Sequence, residues 1–202
     1  MAGRVYQLKA TIVGTKPPVW RRVLVAESAS LLDLHEVLQG AFGWYDCHLH
    51  EFEIDGVRYG TDDGDGWGPP PKSERRARLG TVARQGTAIR YVYDFGDHWV
   101  HRVVVEKVVQ ADARMTYPCC IGGKRACPPE DCGGVWGYEE FLAAVSDADH
   151  PEHQSMLEWV GGEFDPEAFN PASFAAARGL AIRARPSGTP GAARSGTGGD
   201  HP

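Results

Sequence analysis

Apolar and polar residues alternate almost from the start of the chain. Tyr6, Leu8, Ala10 and Ile12 are separated by Gln7, Lys9 and Thr11, the period-two pattern of a strand with one buried face. Pro17 and Pro18 cannot donate to a ladder, so the next strand, VWRRVLV, is expected over 19–25. In a regular strand Arg21 and Arg22 point to opposite faces, so at least one guanidinium lies over the protein. The period then changes. Leu31, Leu34, Leu38 and Phe42 recur at helical spacing behind Ser30 and Asp33, the two halves of a capping box, which predicts a helix over 31–42 stopped by Gly43. Phe52 and Ile54 before Asp55-Gly56, with Val57 and Tyr59 after, predict a two-residue hairpin whose central residues take positive φ. Ile89 to Phe95 and Trp99 to Val109 read as two more strands, the second with the valine run of a well-buried position.

Elsewhere the pattern is broken. Residues 60–76 are rich in Gly, Pro and charge and read as a long surface loop, while CCIGGKRACPPEDCGG, 119–134, reads as an ordered loop without regular structure. Tyr138, Phe141, Leu142 and Val145 predict an amphipathic helix over 137–146. A second helix is expected from Pro151 to the Gly161-Gly162 stop, and a short third from Asn170-Pro171 to Gly179. Nothing apolar enough to offset ordering entropy lies beyond Pro186, so 186–202 is expected to be a disordered Gly/Pro/Ser-rich tail. These elements predict a single α+β domain over 1–180: a mixed or antiparallel sheet of five or six strands, one early helix and a C-terminal helical layer.

Charge refines this picture. A formal net charge of -6 argues against attraction of the whole surface to phosphate backbones. The distribution is uneven: six basic residues between Lys72 and Arg90 face one acid, Glu74, whereas nine acids and no Lys or Arg lie between Glu139 and Glu167. A solvated basic loop beside an acidic helical face is the simpler reading; a local nucleic-acid patch is the other. No run approaches the ~20 apolar residues that span a bilayer, and the first residues lack a signal-peptide core, so a cytoplasmic protein with no membrane partner is expected. In that compartment the five cysteines are expected to be reduced, which favours a thiol or metal role over a disulfide framework.

The chemistry concentrates in YVYDFGDHWVH, 91–101, where Asp94, Asp97, His98 and His101 crowd a turn between strands. His48 and His50 are two apart, so on a strand both imidazoles face one side, a common beginning of a metal site. With His101 and Asp94 or Asp97 they make a candidate ligand set for zinc, iron or manganese. Against this stands a structural reading in which the histidines and turn aspartates bond only their own backbone and neighbours. Cys120, Cys127 and Cys132 lack the C-x2-C pairing of zinc ribbons and signal zinc weakly. Glu130 or Asp131 is read first as a helix cap or as a partner of Arg21 or Arg22. No Gly-x-Ser-x-Gly elbow, P-loop or dinucleotide fingerprint occurs.

PPVWRRVLV with its adjoining helix, HLHEF and then YVYDFGDHWVH, and CPPEDCGGVWGYEEF occur in this order over about residues 5–170. Together they resemble the plasmid pRiA4b ORF-3-like family, some members of which carry the label of a passenger protein of an insertion element. The resemblance implies an α+β domain of bacteria and mobile elements and transfers no established reaction. On the family pattern the positions of interest are Trp20, Arg21, His48, His50, Asp94, Gly96, Asp97, Trp99, His101, Cys127, Pro129, Glu130, Asp131, Gly133, Gly134 and Tyr138. Two functions are expected. One is a binding or adaptor module for a protein or nucleic-acid partner, its cleft lying between the DFGD turn and the PPED loop and including Trp20, Arg21, Trp99, Asp131 and Tyr138. The other is a hydrolytic or oxidative enzyme using a divalent metal, with ligands among His48, His50, Asp94, Asp97 and His101 and with Glu130 as general base.

Overall fold

The computed structural model describes residues 3–61 and 69–174. Eight strands among these residues form one sheet in the order β5-β4-β3-β6-β7-β1-β2-β8. The strands are β1 (Arg4–Ile12), β2 (Trp20–Ala26), β3 (His50–Ile54), β4 (Val57–Gly60), β5 (Lys72–Ser73), β6 (Ala88–Tyr93), β7 (Trp99–Gln110) and β8 (Cys119–Lys124). All neighbours pair antiparallel except β4 and β5, so the sheet is mixed.

The alternation that defined β1 also defines the core. Tyr6, Leu8, Ala10 and Ile12 share a face with Val23 and Val25 of β2 and with Val105, Val103 and His101 of β7, as the register requires. Helix α1 (Leu31–Phe42) lies against that face with Leu31, Leu34, Val37, Leu38 and Phe42 buried. Its capping box is present in both directions, Asp33 N to Ser30 Oγ and Ser30 N to Asp33 Oδ2, and Gly43 closes it at φ 82°. The hairpin turn has Asp55 at φ 49° and Gly56 at φ 77°, as Asp-Gly predicted.

Several expectations are corrected. The sheet has eight strands, not five or six, because two edge strands carry weak sequence signals. The first, β8, lies inside the stretch read as loop: Cys119 to Lys124 pair with β2, and Gly122 and Gly123 make room for Trp20 and Phe169 beside them. The second, β5, is two residues long. Helices do not divide cleanly into one early and one late layer, since the short α2 (Leu79–Val82) sits mid-chain. Helix α3 (Gly134–Ser146) starts three residues before the predicted boundary, and α4 (His153–Trp159) starts after the Pro151 turn. At Asn170 the expected cap forms, its side chain accepting from Ala172 N, but it opens a 3-10 turn, Pro171–Ser173. The expected helix end at Gly179 and the tail 186–202 lie outside the described residues. No helix among the described residues is long and apolar enough to cross a membrane.

Candidate functional site

Three connections meet beside α1: residues 44–49 after that helix, the turn 94–98 between β6 and β7, and 125–133 before α3. Hydrogen bonds tie them together. Trp44 Nε1 donates to Pro128 O at 3.0 Å, and Tyr45 N donates to Glu130 Oε2 at 2.9 Å. The Tyr93 hydroxyl donates to Glu130 Oε1 and accepts from Cys47 N. Asp94 N reaches Leu49 O, and Gly133 N reaches Asp97 Oδ2 at 3.0 Å. The glycines of the PPED block are demanded by close approach. A Cβ on Gly134, at φ 67°, would stand 2.4 Å from Asp97 O, and one on Gly137 would stand 1.8 Å from Cys132 O.

This clamp gathers His48, Asp94 and Asp131. His48 Nε2 lies 3.1 Å from Asp131 Oδ1 and 3.7 Å from Asp94 Oδ2. The nitrogen is itself buried, yet it forms no hydrogen bond with either oxygen. Asp94 sits at φ 57°, and its Oδ1 accepts from Gly96 N, which fixes the carboxylate with Oδ2 toward the imidazole. Asp131, at φ 60°, leaves 72% of its side chain exposed, so the cluster opens to solvent on one side.

His50 goes elsewhere. Strand β3 begins at His50, so His48 lies in the preceding connection and the two imidazoles are not on one strand face. His50 Nε2 pairs with Glu74 Oε2 at 2.8 Å, and its ring stacks on His35 with centroids 3.5 Å apart. His35 in turn bonds Tyr91 Oη through Nδ1 at 2.8 Å and Asp46 Oδ1 through Nε2 at 2.7 Å. Burial and the neighbouring His50 push the His35 pKa down to about 4. His35, Asp46 and His50 also place three ligand atoms within 4.8 Å of one another, but both His35 nitrogens and His50 Nε2 already have protein partners. Sequence reasoning missed His35, Asp46 and Glu74. A signal existed: His35 and Gln39 fall on the stripe of α1 that carries Leu31, Leu38 and Phe42, where a polar side chain needs a buried partner.

The remaining candidates occupy other surroundings. His101 is wholly buried among Phe42, Trp44 and Tyr91, its Nδ1 on Trp99 O, and burial pushes its pKa down to about 4. Trp99 is a core residue. Tyr138 is buried too, and its hydroxyl, 3.5 Å from Ala126 O, is pushed up to about 12 by burial. Arg21 is buried on β2, bonding Ala41 O, Trp20 O and Lys124 O, whereas Trp20 faces the opposite side against Lys9 and Arg22. Arg22 pairs with Glu106, so neither arginine pairs with Glu130 or Asp131. Asp97 caps Gly133, and both Glu130 oxygens are engaged in the clamp. Burial pushes the Cys127 thiol up, and the Cys132 thiol to about 12, so neither offers a thiolate near neutral pH. Among the described residues no cysteine joins a group of three close ligand atoms.

The sequence model for "Plasmid pRiA4b ORF-3-like protein" matches residues 4–173, a span that holds both the clamp and the His48 cluster. The chain belongs to this family. It is similar to the uncharacterized protein y4hQ of Sinorhizobium fredii (strain NBRC 101917 / NGR234), with 40% identity over 173 residues covering 84% of this chain and 88% of y4hQ. It is also similar to the crystal structure of MM3350, a protein of unknown function from Methanosarcina mazei Go1. That structure matches with 40% identity and a TM-score of 0.79, covering 87% of this chain and 98% of MM3350.

Proposed function

We propose that this pRiA4b ORF-3-like protein is a binding module for a protein partner, and that it takes a basic, partly apolar segment in the groove between α3 and α4. Gly137, Glu140, Phe141 and Ala144 of α3 share one helical face, as do Glu152, Met156 and Trp159 at α4. Together with Asp131 and Cys132 they line a groove of about 340 Å³. The observation that carries the reading is a mismatch in charge. Glu140 and Glu152 rim an apolar floor, yet neither pairs with a Lys or Arg among the described residues. Trp159 on the rim is 49% exposed, and Trp136, one turn before Glu140, is 80% exposed. Exposed tryptophans beside a rigid groove are the residues that most often anchor a partner.

The same acids repel phosphate, so a protein partner is favoured over nucleic acid at this face, in a mobile-element setting as in any other. The enzyme alternative is supported less, because the carboxylate expected to act as general base, Glu130, is held by Tyr93 and Tyr45. The test is fluorescence anisotropy with a labelled Lys/Leu repeat peptide against a Glu/Leu repeat of equal length. The basic peptide is expected to bind, weakening with added salt and at least about tenfold on Glu140→Lys with Glu152→Lys, or roughly 1.4 kcal/mol. Equal binding of both peptides, or indifference to the charge reversals, overturns the reading. A steep salt slope with duplex DNA would move it to nucleic acid.

A further inference from the structure

The His48 cluster carries a second inference, independent of the groove's partner. His48 Nε2 is buried without a hydrogen bond, a state that costs free energy unless something else meets the nitrogen. The acids around it do not relieve this. Asp131 Oδ1 is near enough, at 3.1 Å, but off the direction of a hydrogen bond, and Asp94 Oδ2 stands at 3.7 Å. Those separations have a different meaning if the three atoms share a common neighbour. Donor atoms bound to one cation at roughly 2.0–2.2 Å stand about 3–3.6 Å from one another along the edges of a tetrahedron or octahedron. The observed pairs fall close to that range, and all three ligand atoms lie within 4.8 Å of one another.

The surroundings are those of an oriented ligand set. Asp94 commits Oδ1 to Gly96 N, the kind of outer hydrogen bond that fixes a ligating carboxylate. Asp131 is presented from a backbone in the left-handed region, between Glu130, tied to Tyr93 and Tyr45, and Gly133, tied to Asp97. The other three-ligand cluster, His35, Asp46 and His50, satisfies its ring nitrogens with Tyr91, Asp46 and Glu74 and has no comparable unpartnered atom.

We propose that His48 Nε2, Asp94 Oδ2 and Asp131 Oδ1 hold one divalent first-row cation at the end of the α3–α4 groove. One imidazole and two carboxylates without a thiolate suit Mn2+, Co2+ or Zn2+ rather than Cu+, and three protein ligands leave positions for water on the side where Asp131 is exposed. Because Asp131 also lines the groove, the cation fixes one of the groove's three carboxylates.

Binding is read with the metals alone, on protein without an affinity tag, so the peptide experiment and this one fail separately. Co2+ absorption in the visible range and calorimetry with Mn2+ and Zn2+ are expected to give about one equivalent per chain, with a metal-dependent rise in melting temperature. Asp131→Asn and Asp94→Asn are each expected to weaken binding at least about tenfold, and His48→Gln likewise. Asp131 is exposed, so its variant keeps the test valid if His48→Gln fails to fold. Asp46→Asn is expected to leave binding unchanged. The inference is overturned if none of the three metals binds, if binding survives Asp131→Asn and Asp94→Asn, or if Asp46→Asn alone abolishes it.

Discussion

Replacing Gly137 by alanine is expected to destabilise the protein by roughly 2–4 kcal/mol, a large effect for one added methyl group. In the helix interior such a change normally gains about 1 kcal/mol in propensity. Here the new Cβ would meet Cys132 O at 1.8 Å and the carbonyl carbon at 2.8 Å, and no rotamer can relieve a clash with backbone. The Cys132 segment must therefore lift from α3 and carry Asp131 with it. Urea denaturation of Gly137→Ala beside Gly86→Ala separates the causes, since Gly86 has positive φ but nothing within 4 Å of its Cβ. A Gly137→Ala protein as stable as wild type would mean that the segment does not lie against the helix as described.

Acid is expected to weaken the fold well before the carboxylates titrate. His35 and His101 are both buried, and burial holds each near a pKa of about 4, whereas the unfolded imidazoles protonate near roughly 6.5. Between these values the unfolded chain binds more protons than the folded one, so stability is full above about pH 6.5 and is lost progressively as pH falls toward about 4. For His101 the loss is on the order of 3 kcal/mol; His35 acts in the same direction, offset in part by Asp46. Urea midpoints at several pH values from roughly 8 to about 5, with the His101 imidazole tracked by NMR, check both parts. A midpoint that stays flat across this window, or a His101 resonance that titrates near neutrality, would contradict the buried placement of the rings.

What the chain reveals on reading depends on the range of the interaction. The Ser30–Asp33 box, the Asp55-Gly56 turn and the period-two strands are local agreements between neighbours, and each appears where it was expected. Strand β8 is different. Its residues have little strand preference of their own, and it forms because β2 leaves a row of backbone groups for it to pair. Glu74 was legible only as one acid in a basic surface stretch, because the imidazole that buries it lies 24 residues earlier. For His48 the sequence offers Asp94 and Asp97 as alternative carboxylate neighbours, and the structure brings Asp94 to 3.7 Å while Asp97 bonds Gly133 N. Asp131 reads from the sequence as a cap or a cleft residue, His50 joins His48 by spacing, and His101 joins them only if the hairpin ends approach in the sheet. Spacing of two residues means a shared side only within a strand, and β3 starts too late to include His48.

Arg21 has a mechanical consequence. Its guanidinium spans the carbonyl of Ala41, in the last turn of α1, and that of Lys124, at the end of the outermost strand β8. A planar fork that reaches both acceptors at once couples their positions, and a lysine ammonium could not reproduce the reach. The rim of the sheet is therefore tied directly to the helix on its face. A displacement of that rim reaches, through Arg21 as well as through the β2 ladder, the helix end from which residues 44–49 depart.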